Sequence, residues 1–273
     1  MTRVRVVTDS NAMIPWDLVG QLGIVVVPLT IDIGGDEIVE NSELDLAAAY
    51  RRLRDGQSAS TSAPSAGTFA QTYERLRGDP IVSVHIGSNF SSTLNAARLG
   101  ATVADIDIHF VDTQAASFMA GCCVLAAAQA ARDGAAVEAV IAAANRVAAT
   151  ISTVFTVAEI DRARSGGRFP GQSNDVDGVP VVRLVDGAFE RLVVVHSDAE
   201  AADAMFAAVA TESRRLRIGV GDADAGPIVD QLFTRLQAHR PTNDLIRYVV
   251  GPTVAAHAGM GTFGIVYHAL EQA

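Results

Sequence analysis

Ile81-Val82-Ser83-Val84-His85-Ile86-Gly87-Ser88-Asn89-Phe90-Ser91-Ser92-Thr93-Leu94-Asn95-Ala96-Ala97 is the stretch that decides the fold. Branched apolar residues from Ile81 to Ile86 predict a buried strand, and Gly87 ends it. Hydroxyl and amide side chains follow, then an Ala/Leu-rich helical pattern that runs through Val103. The reading is strand, hydroxyl-rich turn, helix. The first N–H groups of a helix lack internal partners and carry the positive end of its dipole, so such a turn can hold an anion. Capping by Ser91 or Ser92 would account for one hydroxyl. The other hydroxyls of Ser88, Ser91, Ser92 and Thr93 and the Asn89 amide leave donors over, which favours a ligand site at this turn.

Upstream, Val4–Thr8 reads as a strand ending in the polar turn Asp9-Ser10-Asn11. Pro15 suits the start of a helix to about Leu22. Ile24–Ile33 is strand-like and interrupted at Pro28, and Gly34-Gly35 turns it back as a hairpin. Ser42 with Asp45 predicts a capping box for the helix through Leu53. Ser58–Ser65, which includes Thr61 and Ser62, reads as a second hydroxyl-rich turn before a helix Ala66–Leu76. A strand Ile106–Val111 and two Ala-rich helices, Ala115–Arg132 and Val137–Thr150, complete this half. Alternating strands and helices predict a mainly parallel sheet covered on both faces. Ligands then sit beyond the carboxyl ends of the strands, where the turns after Thr8, Ser60 and Ile86 would meet.

The second half has a different grammar. A strand Thr153–Val157 and a short helix Ile160–Ser165 precede the break Gly166-Gly167-Arg168 and the aperiodic, polar Phe169–Gly178. Val179–Val185 and Phe189–Val195 flank Asp186-Gly187 as a hairpin. Helices Ala199–Arg215 and Pro227–Ala238 alternate with strands Arg217–Val220 and Leu245–Val250. The expectation is an α/β domain over 1–152 and a smaller α+β domain over 153–273.

Composition excludes several functions. A formal net charge of −10 argues against nucleic acid or an anionic membrane held by bulk charge. Every basic residue is arginine, which excludes a Schiff-base or Walker lysine. The longest apolar run, Phe118–Ala128, is far short of the about 20 residues that span a bilayer. The first residues lack the apolar core and cleavage site of a signal peptide. Cys122 and Cys123 are neighbours on a helix and point about 100° apart, which suits buried thiols better than a disulfide. A cytoplasmic protein is expected.

Gly259-Met260-Gly261-Thr262-Phe263-Gly264 matches G-x-G-x-x-G. Strand-like Ile265-Val266-Tyr267 follows instead of a helix, so no dinucleotide cofactor is expected and the glycines read as a tight turn. The six histidines have no metal-ligand spacing. His257 lies in an Ala/Gly loop, 251–264, expected to return to the domain junction. Ser91, His257 and Asp9 or Asp112 supply the residue types of a hydrolase, without a G-x-S-x-G elbow. From the residues alone, two hydroxyl turns and one histidine describe a binder of an anionic ligand with an aliphatic interior.

Six motifs then align in order. They are Val7-Thr8-Asp9-Ser10; Val26-Val27-Pro28-Leu29 with Gly35-Asp36-Glu37; Thr61-Ser62-Ala63-Pro64-Ser65; Ser91-Ser92-Thr93-Leu94-Asn95-Ala96-Ala97; Ser165-Gly166-Gly167-Arg168; and His257-Ala258-Gly259-Met260-Gly261. In this order and spacing the chain resembles the DegV family of fatty-acid-binding proteins. The resemblance implies a fatty acid buried between an α/β and an α+β domain. Its carboxylate would be held by Thr61, Ser91 and His257, with Ser62 and Ser92 adjoining and Asp9, Ser10, Asn95 and Arg168 as secondary candidates. It implies a carrier, neither an enzyme nor a holder of metal or cofactor, that presents the acid to a separate ATP-dependent kinase for acyl-phosphate formation in phospholipid synthesis. Burying about 14 methylenes at about 0.8 kcal/mol each favours such binding without a buried arginine. Two stretches depart from the family pattern. Polar Phe169–Gly178 stands where the family has an amphipathic helix over the acyl chain. Acidic His196-Ser197-Asp198-Ala199-Glu200 stands where it has a basic stretch implicated in kinase docking. The alternative from another class is an ester hydrolase with Ser91 as nucleophile.

Overall fold

The computed structural model describes residues 3–158, 177–185, 188–239 and 244–270. The chain falls into two compact units, Met1–Asp45 with Ser58–Ala149, and Leu46–Gln57 with Thr150–Ala273.

The first unit is built on a parallel sheet. Its strands are β1 (Arg5–Asp9), β2 (Val25–Val27), β6 (Ile81–His85) and β7 (His109–Asp112), in the order β2-β1-β6-β7. All five residues of β6 are buried, as a central strand covered on both faces requires. Helices α3 (Ala66–Arg75) and α4 (Thr93–Ala104) pack together, as do α5 (Phe118–Arg132) and α6 (Val137–Ala148), and both pairs lie against this sheet. Val7, Phe69, Tyr73, Ile81 and Ala97 form the core under α3 and α4. Helix α1 (Trp16–Leu22) starts at Pro15 and ends at Gly23, in left-handed conformation with φ 66°.

A second, antiparallel sheet, β4-β3-β5, was not foreseen as such. Pro28 separates β2 from β3 (Thr30–Ile33), and Gly34 and Gly35, with φ 62° and 92°, turn the chain into β4 (Asp36–Val39). Its third strand is β5 (Ala59–Ser62), so the expected hydroxyl-rich turn at 58–65 is strand over half its length. β5 pairs with β3 from Ile33↔Ala59 to Thr30↔Ser62. Small and hydroxyl residues with alternating exposure suit a half-exposed edge, and their polarity hid the strand. Ser65 caps α3 by accepting the Thr68 N–H at 3.1 Å. The predicted Ser42 cap does not form. Helix α2 (Leu46–Arg54) begins four residues later, and Asn41 Oδ1 instead accepts the Glu43 N–H at 2.9 Å.

The second unit holds a six-stranded mixed sheet, β10-β9-β8-β13-β11-β12. The strands are β8 (Ser152–Thr156), β9 (Val179–Val185), β10 (Ala188–Val195), β11 (Leu216–Asp222), β12 (Asp244–Val249) and β13 (Phe263–Ala269). Its helices are α7 (Asp198–Ala210), α8 (Pro227–His239) and α9 (Pro252–Ala258), joined by α2 from the amino-terminal half. The Tyr50 hydroxyl fixes α2 there by donating to the Val250 carbonyl at 2.7 Å. Met205, Ile218, Leu232, Phe263 and Ile265 anchor the core. The acidic 196–200 stretch caps the start of α7. Ser197 Oγ accepts the Glu200 N–H at 3.2 Å, and Glu200 Oε2 accepts the His196 N–H at 2.9 Å. Arg168, the 160–165 helix, the Gly166-Gly167 break, residues 169–176 and the hairpin tip Asp186-Gly187 lie outside the described residues.

The expected loop at 251–264 is partly helix. Gly251 precedes Pro252 at the first helical position, where its fixed φ suits the turn, and α9 runs to Ala258. His257 is therefore on a helix, half-buried. Gly259 and Gly261, with φ 92° and 84°, make the tight turn into β13. Gly264 lies in β13 against Phe155, where a Cβ would come within 2.3 Å of the Phe155 Cβ.

Cys122 and Cys123 are fully buried in α5. The Cys123 thiol faces the Met119 carbonyl at 3.5 Å, and burial pushes it up to about 12. A thiolate is the reactive form, so Ellman's reagent at pH 8 should label neither cysteine in the folded protein and both in urea. Rapid labelling of the folded chain would contradict this packing.

Candidate functional site

Asp9 and Ser10 on one side and Ser91 and Ser92 on the other follow the carboxyl ends of β1 and β6, which are neighbours in the sheet. Asp9 ends β1 fully buried. Its Oδ1 accepts the Asn11 N–H at 3.1 Å, and its Oδ2 accepts the Ile86 N–H at 3.3 Å and lies 2.8 Å from His85 Nδ1. Ser10 Oγ accepts the Leu29 N–H at 3.0 Å and donates to Glu40 Oε2 at 2.8 Å. Asn11 Oδ1 accepts the Ser117 N–H at 2.7 Å. All three residues of this polar turn therefore stitch the chain to itself. Asp9 and Ser10 act from beneath the surface.

The turn after β6 is held from the other side. Gly87 N–H donates to the Ala115 carbonyl at 2.7 Å, and the Ser88 hydroxyl donates to Asp112 Oδ2 at 2.6 Å. A Cβ on Gly87 would come within 2.8 Å of the Gln114 backbone, so only glycine fits. Phe90 and Ser91 N–H both donate to the Gly87 carbonyl, closing the turn. Ser91 Oγ accepts the Thr93 N–H at 3.2 Å and sits 2.8 Å from the Thr93 hydroxyl. Ser91 thus caps α4 one residue ahead of Ser92, which makes no side-chain capping bond. Ser92 and Asn95 are exposed on the first turn, Ser91 is half-buried, and no acidic residue occupies that turn.

Thr61 is half-buried and Ser62 exposed at the carboxyl end of β5. They precede the helix cap Ser65 and do not lie at the helix start, as the turn reading had placed them. Ser62 pairs with Thr30, next to the Leu29 amide that Ser10 binds, so β5 ends close in the topology to the turn after β1. Asp9, Ser10, Thr61, Ser62, Ser91, Ser92 and Asn95 all belong to the first unit, and His257 belongs to the second.

A Ser–His–Asp arrangement is present; it shares Asp9 with the hydrolase reading, but its serine and histidine are Ser83 and His85 and not Ser91 and His257. Ser83 Oγ lies 2.7 Å from His85 Nε2, and His85 Nδ1 lies 2.8 Å from Asp9 Oδ2. Those are the distances of a catalytic triad. All three side chains are fully buried, the Tyr73 hydroxyl covers Ser83 Oγ at 2.9 Å, and the Phe69 ring stands edge-on to His85 at 5.2 Å. A substrate carbonyl has no path to Ser83. Among the described residues Ser91 Oγ bonds to Thr93 and to no histidine, and Asp9 is engaged by His85, so the structure gives the Ser91 nucleophile reading no support. The missed signal was positional. Ser83 and His85 are two apart in a strand, hence on one face, a polar stripe inside an apolar run.

Among the described residues no three His, Cys, Asp or Glu side chains are placed to hold a metal ion, and no helix is long and apolar enough to cross a membrane.

A family model described as DegV matches residues 3–270. A DegV domain-containing protein of Streptomyces coelicolor is 32% identical over 274 residues, covering 96% of this chain and 97% of that one. A DegV family protein from Thermus thermophilus, whose solved structure is described as showing fatty acid binding, superposes with a TM-score of 0.88 at 29% identity over 98% of this chain and 100% of that one. The fold is shared equally with DegV, a fatty acid binding protein from Bacillus subtilis, at a TM-score of 0.88 and 22% identity over 99% and 100% of the two chains.

Proposed function

Because this chain belongs to the DegV family, we propose that it binds a long-chain fatty acid and holds the carboxylate at the hydroxyl-rich start of α4. The observation that carries this reading is the acid-free first turn of α4, ringed by Ser91, Ser92 and Asn95, at the carboxyl end of a parallel sheet. The Thermus relative, similar over its whole length, supports the choice of ligand. Thr61 and Ser62 are proposed as further hydroxyl donors, and Arg168, from the family resemblance alone, stays a secondary candidate through its guanidinium. The reading makes the chain a cytoplasmic, non-catalytic carrier, with phosphoryl transfer to the acid left to a separate kinase.

Protein purified without added lipid and sprayed under native conditions should carry a mass that becomes a fatty acid on denaturation. Consistently ligand-free protein that shows no thermal shift with stearate would defeat the reading. Ser91→Ala should weaken stearate by about 1.5–3 kcal/mol if the lost bond is charge-assisted, and methyl stearate by much less. Equal losses would place Ser91 away from the head group.

The family resemblance extends the reading to His257. A bound carboxylate favours the charged form of a neighbouring histidine, so binding takes up a proton and affinity falls as pH rises through the liganded pKa. Between pH 6 and 9 the native protein should lose stearate affinity, and His257→Gln should bind more weakly at low pH with a flatter profile. Superimposable profiles would remove His257 from the reading.

A further inference from the structure

The buried chain Tyr73–Ser83–His85–Asp9 takes no part in the proposed contact with ligand, yet it lies directly beneath the turn that makes it. Its protons can be assigned from the chemistry of its ends. An ionised carboxylate only accepts, so Asp9 receives N–H from His85 Nδ1 and from the Ile86 backbone through the same Oδ2. A neutral imidazole with Nδ1–H offers Nε2 as acceptor, and the Ser83 hydroxyl donates to it at 2.7 Å. Ser83 Oγ then accepts from the Tyr73 hydroxyl at 2.9 Å. Burial pushes the Tyr73 hydroxyl up, which keeps its proton on. With Asp9 ionised and His85 neutral, every hydrogen bond points the same way, towards Asp9, and the Ile86 amide joins at that end. One residue further, Gly87 opens the turn whose carbonyl closes on Phe90 and Ser91.

We propose that Asp9 and His85 are positioning residues: the one-directional chain Tyr73–Ser83–His85–Asp9 clamps the Ile86 amide and so fixes the turn from Gly87 to Thr93 before any ligand arrives. The proposal rests on the preceding reading only for what that turn holds. Asp9→Asn is the discriminating change, because it keeps the shape and reverses the polarity. The amide N–H₂ would donate to His85 Nδ1 and move the imidazole proton to Nε2. In that rotamer it would also confront the Ile86 N–H, donor against donor.

The test has three arms on the full chain. In the native protein at pH 7.5, nitrogen NMR of ¹⁵N-histidine should show His85 with Nδ1 protonated and Nε2 bare. The opposite tautomer, or a doubly protonated ring, overturns the proposal without any variant. In ligand-free Asp9→Asn, amide exchange at Ile86 and through residues 87–93 should quicken by about ten-fold or more, the loss of roughly one buried bond, while β13 keeps its protection. Tyr73→Phe removes only the far donor and should leave that turn within about three-fold. Equal opening in both variants, or none in Asp9→Asn, overturns it. Stearate should weaken by about ten-fold in Asp9→Asn, with methyl stearate nearly unchanged; matched losses would make the clamp a stability device unrelated to the anion. If native protein binds no stearate, the carrier reading falls, and the NMR and exchange arms still decide the clamp. Should Asp9→Asn not fold, the native tautomer and Tyr73→Phe decide it.

Discussion

Asp9→Ala should lower the stability of the first unit by about 3–5 kcal/mol. Truncation removes the acceptor of three donors at once, the Asn11 and Ile86 amides and the His85 ring. Each buried donor left without a partner costs about 1–3 kcal/mol, and removing one side of a buried ionic or charge-assisted pair costs at the upper end of what single substitutions do. Asp9 is fully buried, so water cannot replace the lost acceptor without opening the end of the sheet. Trp16, the single tryptophan, is in α1 of this unit and gives a local probe of its unfolding. With a urea dependence of about 1–3 kcal/mol/M, the midpoint read by Trp16 fluorescence should fall by about 2 M. A fall of less than about 0.5 M would mean the three donors find other partners. The probe matters because two units need not unfold together, and a whole-chain signal would blend them.

The size of that effect shows what was legible in the sequence. The strand Ile81–Ile86 and its following helix were plain, because a buried parallel strand is a run of branched residues and a helix start is a change of period. The same run concealed the buried relay. Ser83 and His85 look like exceptions in an apolar strand until Tyr73, on a different element, is placed opposite them. Pairing across elements is a tertiary fact, and a single sequence carries no record of it. β5 was missed for a related reason. Ala59–Ser62 has the composition of a turn, and becomes a strand only because Thr30–Ile33 presents an edge to pair with. The polar turn Asp9-Ser10-Asn11 was correctly placed at a strand end, yet its side chains face inward to Leu29, Glu40, Ile86 and Ser117. Residue type marked it as polar. Only the fold could say which way the polarity pointed. His257 illustrates the reverse error, since small residues and glycines suggested a loop where Pro252 starts a helix. The helix start at Thr93 that places Ser91, Ser92 and Asn95 together was legible because helix N-termini obey local rules.

Gly121→Val is the second large effect expected, and it runs against local propensity. Glycine inside a helix is less favourable than other residues by up to about 1 kcal/mol, so position 121, at the end of the first turn of α5, invites substitution. The tertiary contact forbids it. A Cβ built on Gly121 would stand 2.2 Å from the Ala12 carbonyl oxygen and 3.0 Å from the Phe118 ring. The first obstacle is backbone, which cannot rotate aside as a side chain would. α5 or the turn Ser10–Ala12 must move, and that turn carries the Asn11 bond to the Ser117 amide and follows directly on Asp9. Overpacking of this kind costs about 1–3 kcal/mol, and two further methyl groups on Val should place it at about 3 kcal/mol. Gly20→Ala is the matched control. Gly20 lies in exposed α1, with nothing within 4 Å of its built Cβ, and should gain about 0.5–1 kcal/mol. Thermal unfolding followed by circular dichroism should therefore separate the two glycines in opposite directions. A melting temperature for Gly121→Val equal to or above that of the native protein would mean that α5 does not approach the Ser10–Ala12 turn this closely. The floor beneath the Asp9 clamp would then have to be redrawn.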